Sequence, residues 1–161
     1  MARLEYRGET ISDVHTIKTL LDANAIPYER WALREQVTTD EEVLQLYRPD
    51  IERLQRERGY QSVDLVALKP TTPNLDGILA KFTKEHHHND DEVRFTVAGE
   101  GVFEIATVHD DFLKFTAEPG DLIVIPAYRR HSFYLTAARA IRCIRLFETS
   151  AGWEAIYEKN F

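Results

Sequence analysis

The sequence predicts a mainly β chain, an antiparallel sandwich or jelly roll, with its helices confined to the first half. Three observations point there. From about Phe82 onward, short runs rich in β-branched and aromatic residues follow one another at close spacing. The breaks between them carry turn residues: Asn89-Asp90-Asp91, Gly99-Glu100-Gly101, His109-Asp110-Asp111 and Pro119-Gly120-Asp121. Hydrophobic spacing of three and four, the helical period, dominates only between Ser12 and about Gly59.

Taken in order, Ser12 can cap a short helix whose apolar positions are Ile17, Leu20 and Leu21, and the stretch from Asn24 to Pro27 ends it. Tyr28 to Leu33 reads as a strand. Thr39 followed three residues later by Glu42 is a capping box, so a second helix starts there. Leu44, Tyr47, Ile51 and Leu54 mark its apolar face, and Pro49 splits the run into two short helices. Val63 to Leu68 reads as a strand, and a short helix from Leu75 to Ala80, after Pro73, leads into the β-rich half. There, strands are expected near Phe82–His88, Glu92–Ala98, Val102–Val108, Phe112–Thr116, Leu122–Ile125, His131–Thr136 and Ile141–Phe147. Many short strands with tight turns pack as antiparallel layers. No repeat, low-complexity tract or linker interrupts the 161 residues. One domain is therefore expected over 1–161, with an N-terminal elaboration (1–74) packed on a core at 75–161.

Composition narrows the partners. Twenty Lys and Arg against 27 Asp and Glu give a net charge of -7. Such a surface repels nucleic-acid phosphate and anionic lipid, so neither is an expected partner. The single cysteine, Cys143, allows no intramolecular disulfide and fits a reducing compartment, the cytoplasm. No apolar run approaches the ~20 residues of a membrane span, and Met-Ala-Arg-Leu-Glu-Tyr-Arg lacks the apolar stretch of a secretory signal.

The chemistry concentrates in the histidines. His86, His87 and His88 are consecutive, and Glu92 follows four residues after His88. Residues two apart in a strand share a face, so His86 and His88 project together and His87 points away. Glu92 can reach the same side across the Asn-Asp-Asp turn. Two imidazoles and a carboxylate on one face form a nitrogen–oxygen site suited to a first-row divalent metal; the alternative is a solvated histidine-rich turn. Downstream, Gly120-Asp-Leu-Ile-Val-Ile-Pro126 reads as a buried strand opened by Gly and closed by Pro, and His131 follows five residues later. Alone, His131 could be an ordinary core histidine; beside the first cluster, a fourth ligand is the more economical reading.

Two motifs of the cupin superfamily can be laid on these residues. The first, His-x-His, three residues, Glu, six residues, Gly, is met by His86, His88, Glu92 and Gly99. The second, Gly, five residues, Pro, then His, is met by Gly120, Pro126 and His131. Two glycines usual in that pattern are replaced, by Ala80 before the first motif and by Tyr128 after the proline. The chain resembles one branch in particular, the acireductone dioxygenases. The resemblance runs through Phe82-Thr-Lys-Glu-His-His-His-Asn-Asp-Asp-Glu-Val-Arg94, Gly99-Glu-Gly-Val-Phe103, Gly120 to Ala127, His131-Ser-Phe-Tyr-Leu-Thr136, Arg145-Leu-Phe147 and Gly152-Trp153. It spans residues 75 to 157.

The resemblance implies a cupin-type β-barrel and a metal-dependent dioxygenase of methionine salvage. It implies one Fe(II) or Ni(II) per chain, with His86, His88, Glu92 and His131 as ligands. Four ligands leave two neighbouring positions of an octahedron for 1,2-dihydroxy-3-oxo-5-(methylthio)pentene, which reacts with dioxygen. The iron form would give formate and 4-methylthio-2-oxobutanoate; the nickel form would give formate, carbon monoxide and 3-methylthiopropanoate. A monomer is expected. Strand parity puts Arg94 on the face of Glu92, and Arg145 in the apolar row of Ile141, Cys143 and Phe147, where a charge must be paired or functional. The family match favours both as contacts for the substrate anion; pairing with a buried carboxylate is the alternative for Arg145. Phe82 and Phe133 share parity with the ligands and would wall the pocket, or simply pack in the core. Trp153 would lie near the methylthio end. Glu85 and Asp91 could orient the ligands, although Asp91 reads more simply as a solvated turn residue. The competing functions are another cupin metalloenzyme and a non-catalytic metal- or ligand-binding cupin.

Overall fold

The computed structural model describes residues 2–34, 39–149 and 154–157. Among these residues ten strands form two five-stranded sheets, and every pairing is antiparallel. In the first sheet the order is β2 (Glu9–Ile11), β1 (Arg3–Tyr6), β7 (Phe112–Ala117), β6 (Gly101–Ala106), β9 (His131–Leu135). In the second it is β3 (Tyr28–Arg30), β8 (Asp121–Ile125), β5 (Glu92–Gly99), β10 (Ile141–Phe147), β4 (Ser62–Leu68). The sheets face one another without closing into the barrel expected from the resemblance.

The first 74 residues do more than pack on this core. They supply four of the ten strands: β1 and β2 extend the first sheet beside β7, while β3 and β4 flank the second. β1 and β2 have no visible pattern in the sequence, since together they hold seven residues and only two strongly apolar side chains, Leu4 and Ile11.

The helices follow their caps. In α1 (Val14–Ala23) the N-cap is Asp13 rather than Ser12: its carboxylate accepts from Thr16 N at 2.8 Å. In α2 (Asp40–Leu46) the Thr39 hydroxyl accepts from Glu42 N at 3.1 Å and donates to the Glu42 carboxylate at 2.7 Å, the expected capping box. Pro49 opens α3 (Arg48–Arg58), where its missing N–H costs nothing. Val43, Tyr47, Ile51 and Leu54 from this pair pack on Val93, Phe95, Val97, Leu122 and Val124, the outer face of the second sheet. That sheet is therefore buried on both sides, which is why β8 reads as a continuous apolar run rather than an alternating one. The inter-sheet core contains Phe103, Ile105, Phe115, Ile123, Ile125, Phe133 and Cys143.

One expected strand is absent. Phe82 lies in helix α4 (Leu75–Thr83), which runs one turn beyond Ala80, and residues 84–88 make only isolated bridges, His86 with His131 and His87 with Ile156. Phe82 thus owes its position to a helix and not to strand parity with the histidines. Its neighbours explain this: Lys81, Phe82 and Thr83 carry no breaker, and the Thr83 hydroxyl bonds back to Leu79 O at 2.8 Å.

The motif glycines are turns by necessity. Gly99 (φ 71) and Gly120 (φ 97) adopt backbone conformations that side chains resist, and a Cβ on Gly99 would collide with the Ala140 carbonyl. Tyr128 occupies the left-handed region too, at φ 64, where the related motif has glycine.

Candidate metal centre

Four side chains from three places in the fold meet at one end of the sandwich. His86 and His88 come from the irregular segment after α4, Glu92 is the first residue of β5 in the second sheet, and His131 is the first residue of β9 in the first. The segment is sewn to β9 by reciprocal backbone bonds, His86 N to His131 O at 2.9 Å and His131 N to His86 O at 2.8 Å. All four side chains are buried. One ligand atom from each of His86, His88 and His131 lies within 4.8 Å of the others, the spacing needed to share one ion. Glu92 Oε2 approaches His88 Nε2 at 3.0 Å and His131 Nε2 at 3.3 Å.

The protons decide what this cluster is. Each Nδ1 faces a backbone carbonyl: Lys84 O at 2.7 Å for His86, Glu154 O at 2.9 Å for His88 and Arg129 O at 2.9 Å for His131. A carbonyl can only accept, so each Nδ1 carries a hydrogen and Nε2 is the ring atom left to face the cluster. Burial first, and then the neighbouring His131, push His86 down to about 4, so it is neutral at ordinary pH. Burial alone would raise the Glu92 carboxyl, but the Arg94 charge holds it well below the usual carboxylate range. Glu92 Oε2, fully buried, has no hydrogen-bond donor. Nitrogen lone pairs pressed on a carboxylate oxygen repel unless a cation lies among them. The donor set fits a divalent metal of borderline softness, three imidazoles and one carboxylate.

Arg94 completes the site. Only 4% of its side chain is exposed; Nε donates to Glu92 Oε1 at 2.5 Å and Nη1 to Cys143 Sγ at 3.5 Å. Its guanidinium carbon lies 5.0 Å from the Phe133 ring centre, 5.6 Å from Phe103 and 5.9 Å from Phe82. Three rings thus enclose a cation against the carboxylate end of the donor set. Phe103, which the sequence reading missed, could have been found by parity: it pairs with Phe133 across β6 and β9, two residues from Gly101. Gly101 has no Cβ because the Phe133 ring occupies that space.

Other expected residues are placed differently. Arg145 faces the same side of β10 as Cys143 and Phe147, but Asp64 on β4 holds it with two bonds, Nε to Oδ1 at 2.9 Å and Nη2 to Oδ2 at 2.6 Å. This is the paired arrangement, with a half-exposed rather than a buried carboxylate, and Arg94 is the cation that touches the donor set. Glu85 does not orient a ligand: its carboxylate lies 3.7 Å from Arg130, and backbone carbonyls take the orienting role. Asp91 is no solvated turn residue, since it accepts from Ala127 N at 2.8 Å and ties the Asn-Asp-Asp turn to the end of β8. His87 points away from the cluster, its ring 6.1 Å from that of Tyr128. Cys143 is buried, and burial pushes its thiol up. Trp153 lies outside the described residues. Among them, no helix is long and apolar enough to cross a membrane.

Known proteins resemble this chain in sequence and fold. The sequence profile of the ARD/ARD' family matches residues 3–155. Acireductone dioxygenase of Sulfurihydrogenibium sp. (strain YO3AOP1) is 43% identical, with 99% of this chain and 96% of the relative covered. Its Bacillus velezensis namesake is 40% identical, with 96% and 93% covered. Among solved structures, acireductone dioxygenase from Bacillus anthracis, described with a cadmium ion in its active centre, superposes with a TM-score of 0.88 at 36% identity, covering 97% of this chain and 96% of that one.

Proposed function

Because the chain belongs to the ARD/ARD' family, we propose that it is an acireductone dioxygenase, a metal-dependent enzyme that cleaves 1,2-dihydroxy-3-oxo-5-(methylthio)pentene with dioxygen. The observation that carries the reading is the pairing of a lone-pair-rich cluster, His86, His88, His131 and Glu92, with a buried cation, Arg94, in an aromatic enclosure. These four side chains are proposed as the metal ligands. A divalent metal held by His86, His88, Glu92 and His131 would supply Lewis-acid chemistry for the enediolate oxygens.

The chain's own residues do the rest. The carbonyls of Lys84, Glu154 and Arg129 hold each Nδ1–H and so turn each Nε2 toward the ion. Arg94, anchored at Nε by Glu92 and at Nη1 by Cys143, fixes a positive charge beside the donor set that favours the anionic enediolate over its protonated form. Phe82, Phe103 and Phe133 exclude water and restrict the substrate's pose, and Trp153 is assigned to the methylthio end. Arg145, held by Asp64 at Nε and Nη2, is proposed as a second cation for the substrate anion through its remaining Nη1.

With Fe(II) the products are assigned as formate and 4-methylthio-2-oxobutanoate; with Ni(II), formate, carbon monoxide and 3-methylthiopropanoate. Each route consumes one dioxygen and balances in every atom. All four donors come from one chain, which supports the monomer as the working unit, and a single buried thiol supports the reducing cytoplasm. The test is an anaerobic mixture of protein, Fe(II) or Ni(II) and acireductone, opened to air while the enediolate absorbance is followed and products are identified. Rapid metal-dependent loss with formate release supports the assignment; loss no faster than without protein contradicts it.

A further inference from the structure

The loop between β8 and β9 carries no proposed ligand, yet one of its carbonyls sets the tautomer of His131. His131 Nδ1 donates to Arg129 O at 2.9 Å. That carbonyl sits in an irregular stretch that passes through Tyr128 at φ 64, so no sheet ladder fixes its direction. The turn is held by backbone bonds from Arg129 N to Pro126 O at 3.1 Å and from Tyr128 N to His88 O at 2.8 Å, and the Arg129 side chain anchors it to the rest of the fold. Its Nη1 donates to the Asn24 carbonyl at 2.9 Å and to the Ala106 carbonyl at 3.1 Å.

Both acceptors are immobile. Asn24 is the C-cap of α1 and is buried; its amide donates to Leu20 O at 3.0 Å and accepts from Val108 N at 3.1 Å. Ala106 ends β6, and its N–H donates to Arg130 O at 2.9 Å, closing a ring of bonds around the guanidinium. The neighbouring Arg130 behaves as an ordinary surface arginine, paired with Asp110 and Glu85. Arg129 instead spends its charge on two neutral carbonyls, an arrangement that gains nothing from ion pairing and fixes a backbone position.

We infer that Arg129 is a positioning residue for the metal centre: clamped between the carbonyls of Asn24 and Ala106, it aims its own carbonyl at His131 Nδ1 and so keeps the Nε2 lone pair of His131 directed at the donor cluster. The inference rests on the metal-centre reading above. In water, imidazole favours the opposite tautomer, with hydrogen on Nε2, which would block the ligand atom. The clamp therefore removes a tautomer change that metal uptake would otherwise require, and it couples the end of α1 to the site.

The test reads the tautomer directly in metal-free, 15N-labelled protein by long-range proton–nitrogen correlation of the histidine rings, with Co(II) affinity measured by calorimetry. The wild type shows hydrogen on Nδ1 of His131. Arg129→Met moves His131 toward the Nε2–H form while His86, whose partner is Lys84 O, keeps its tautomer. Co(II) binding weakens roughly 10-fold or more, the usual effect of losing an outer-shell partner. Arg129→Lys, which keeps the charge and a donor, gives an intermediate loss. An Arg129→Met protein with His131 still protonated on Nδ1 and unchanged Co(II) affinity overturns the inference; if that variant does not fold, the same two readings on Arg129→Lys decide. Should the wild type bind no Co(II), the metal-centre reading fails, whereas the tautomer comparison alone still tells whether Arg129 positions His131.

Discussion

Arg94 and Glu92 are a fully buried ion pair whose carboxylate also faces the Nε2 atoms of His88 and His131. Removing the cation strands the carboxylate in the core, a loss of about 3–5 kcal/mol for a broken buried pair. Arg94→Met should therefore destabilise the metal-free protein by that order, and bound metal should recover part of the loss by supplying the missing positive charge. Urea unfolding with and without Ni(II) checks this; equal losses in both states would separate Arg94 from the donor set. At this scale the sequence was informative where side-chain identity carries the chemistry. The His-x-His spacing, Glu92, His131 and the parity of Arg94 could all be read from it. The tautomer-setting partners could not, because they are carbonyls of Lys84, Arg129 and Glu154, which every residue possesses. The Asp64 partner of Arg145 was hidden for a related reason: it is fixed by the register of β10 on β4, which a single strand's alternation does not contain.

Elements bring these residues together through close approaches that tolerate little change. Phe133 on β9 and Phe103 on β6 stand 4.8 Å apart between ring centres, and Gly101 yields the space the Phe133 ring fills. Gly101→Ala places a methyl in that ring, and overpacking of this kind costs about 1–3 kcal/mol. A lower urea midpoint is expected, along with slower acireductone turnover as Phe133 shifts against Arg94; unchanged values for both would remove Phe133 from the enclosure. Strand positions after Glu92 were legible because turn residues punctuate them. The stretch from Phe82 to His88 was misread, since its alternating pattern suits a strand while α4, lacking a breaker, continues to Thr83. β1 and β2 were missed because three- and four-residue strands carry too few apolar positions to alternate visibly.

For the molecule as a whole, two sheets and a histidine-bearing segment converge on one point, and stability there depends on pH. His86 is depressed from 6.5 to about 4 in the fold. The unfolded chain takes up its proton near the higher value while the folded one resists, so this contribution is complete above 6.5 and is lost as pH falls toward 4. Metal-free protein should lose stability across that window, and His86→Asn should flatten the slope; an unchanged slope would mean that other groups set it. The fold class was legible from strand density and turns. The open pair of sheets was not, since closure depends on which edges pair, and β9 and β4 remain edges here. The account turns on four side chains sharing one ion, and X-ray absorption of the Ni(II)-loaded protein, with elemental analysis, tests that most directly. The predicted result is one nickel per chain with scattering from three imidazoles, falling with the metal content in His131→Ala; substoichiometric nickel in the wild type, or a first shell without imidazole, would contradict it.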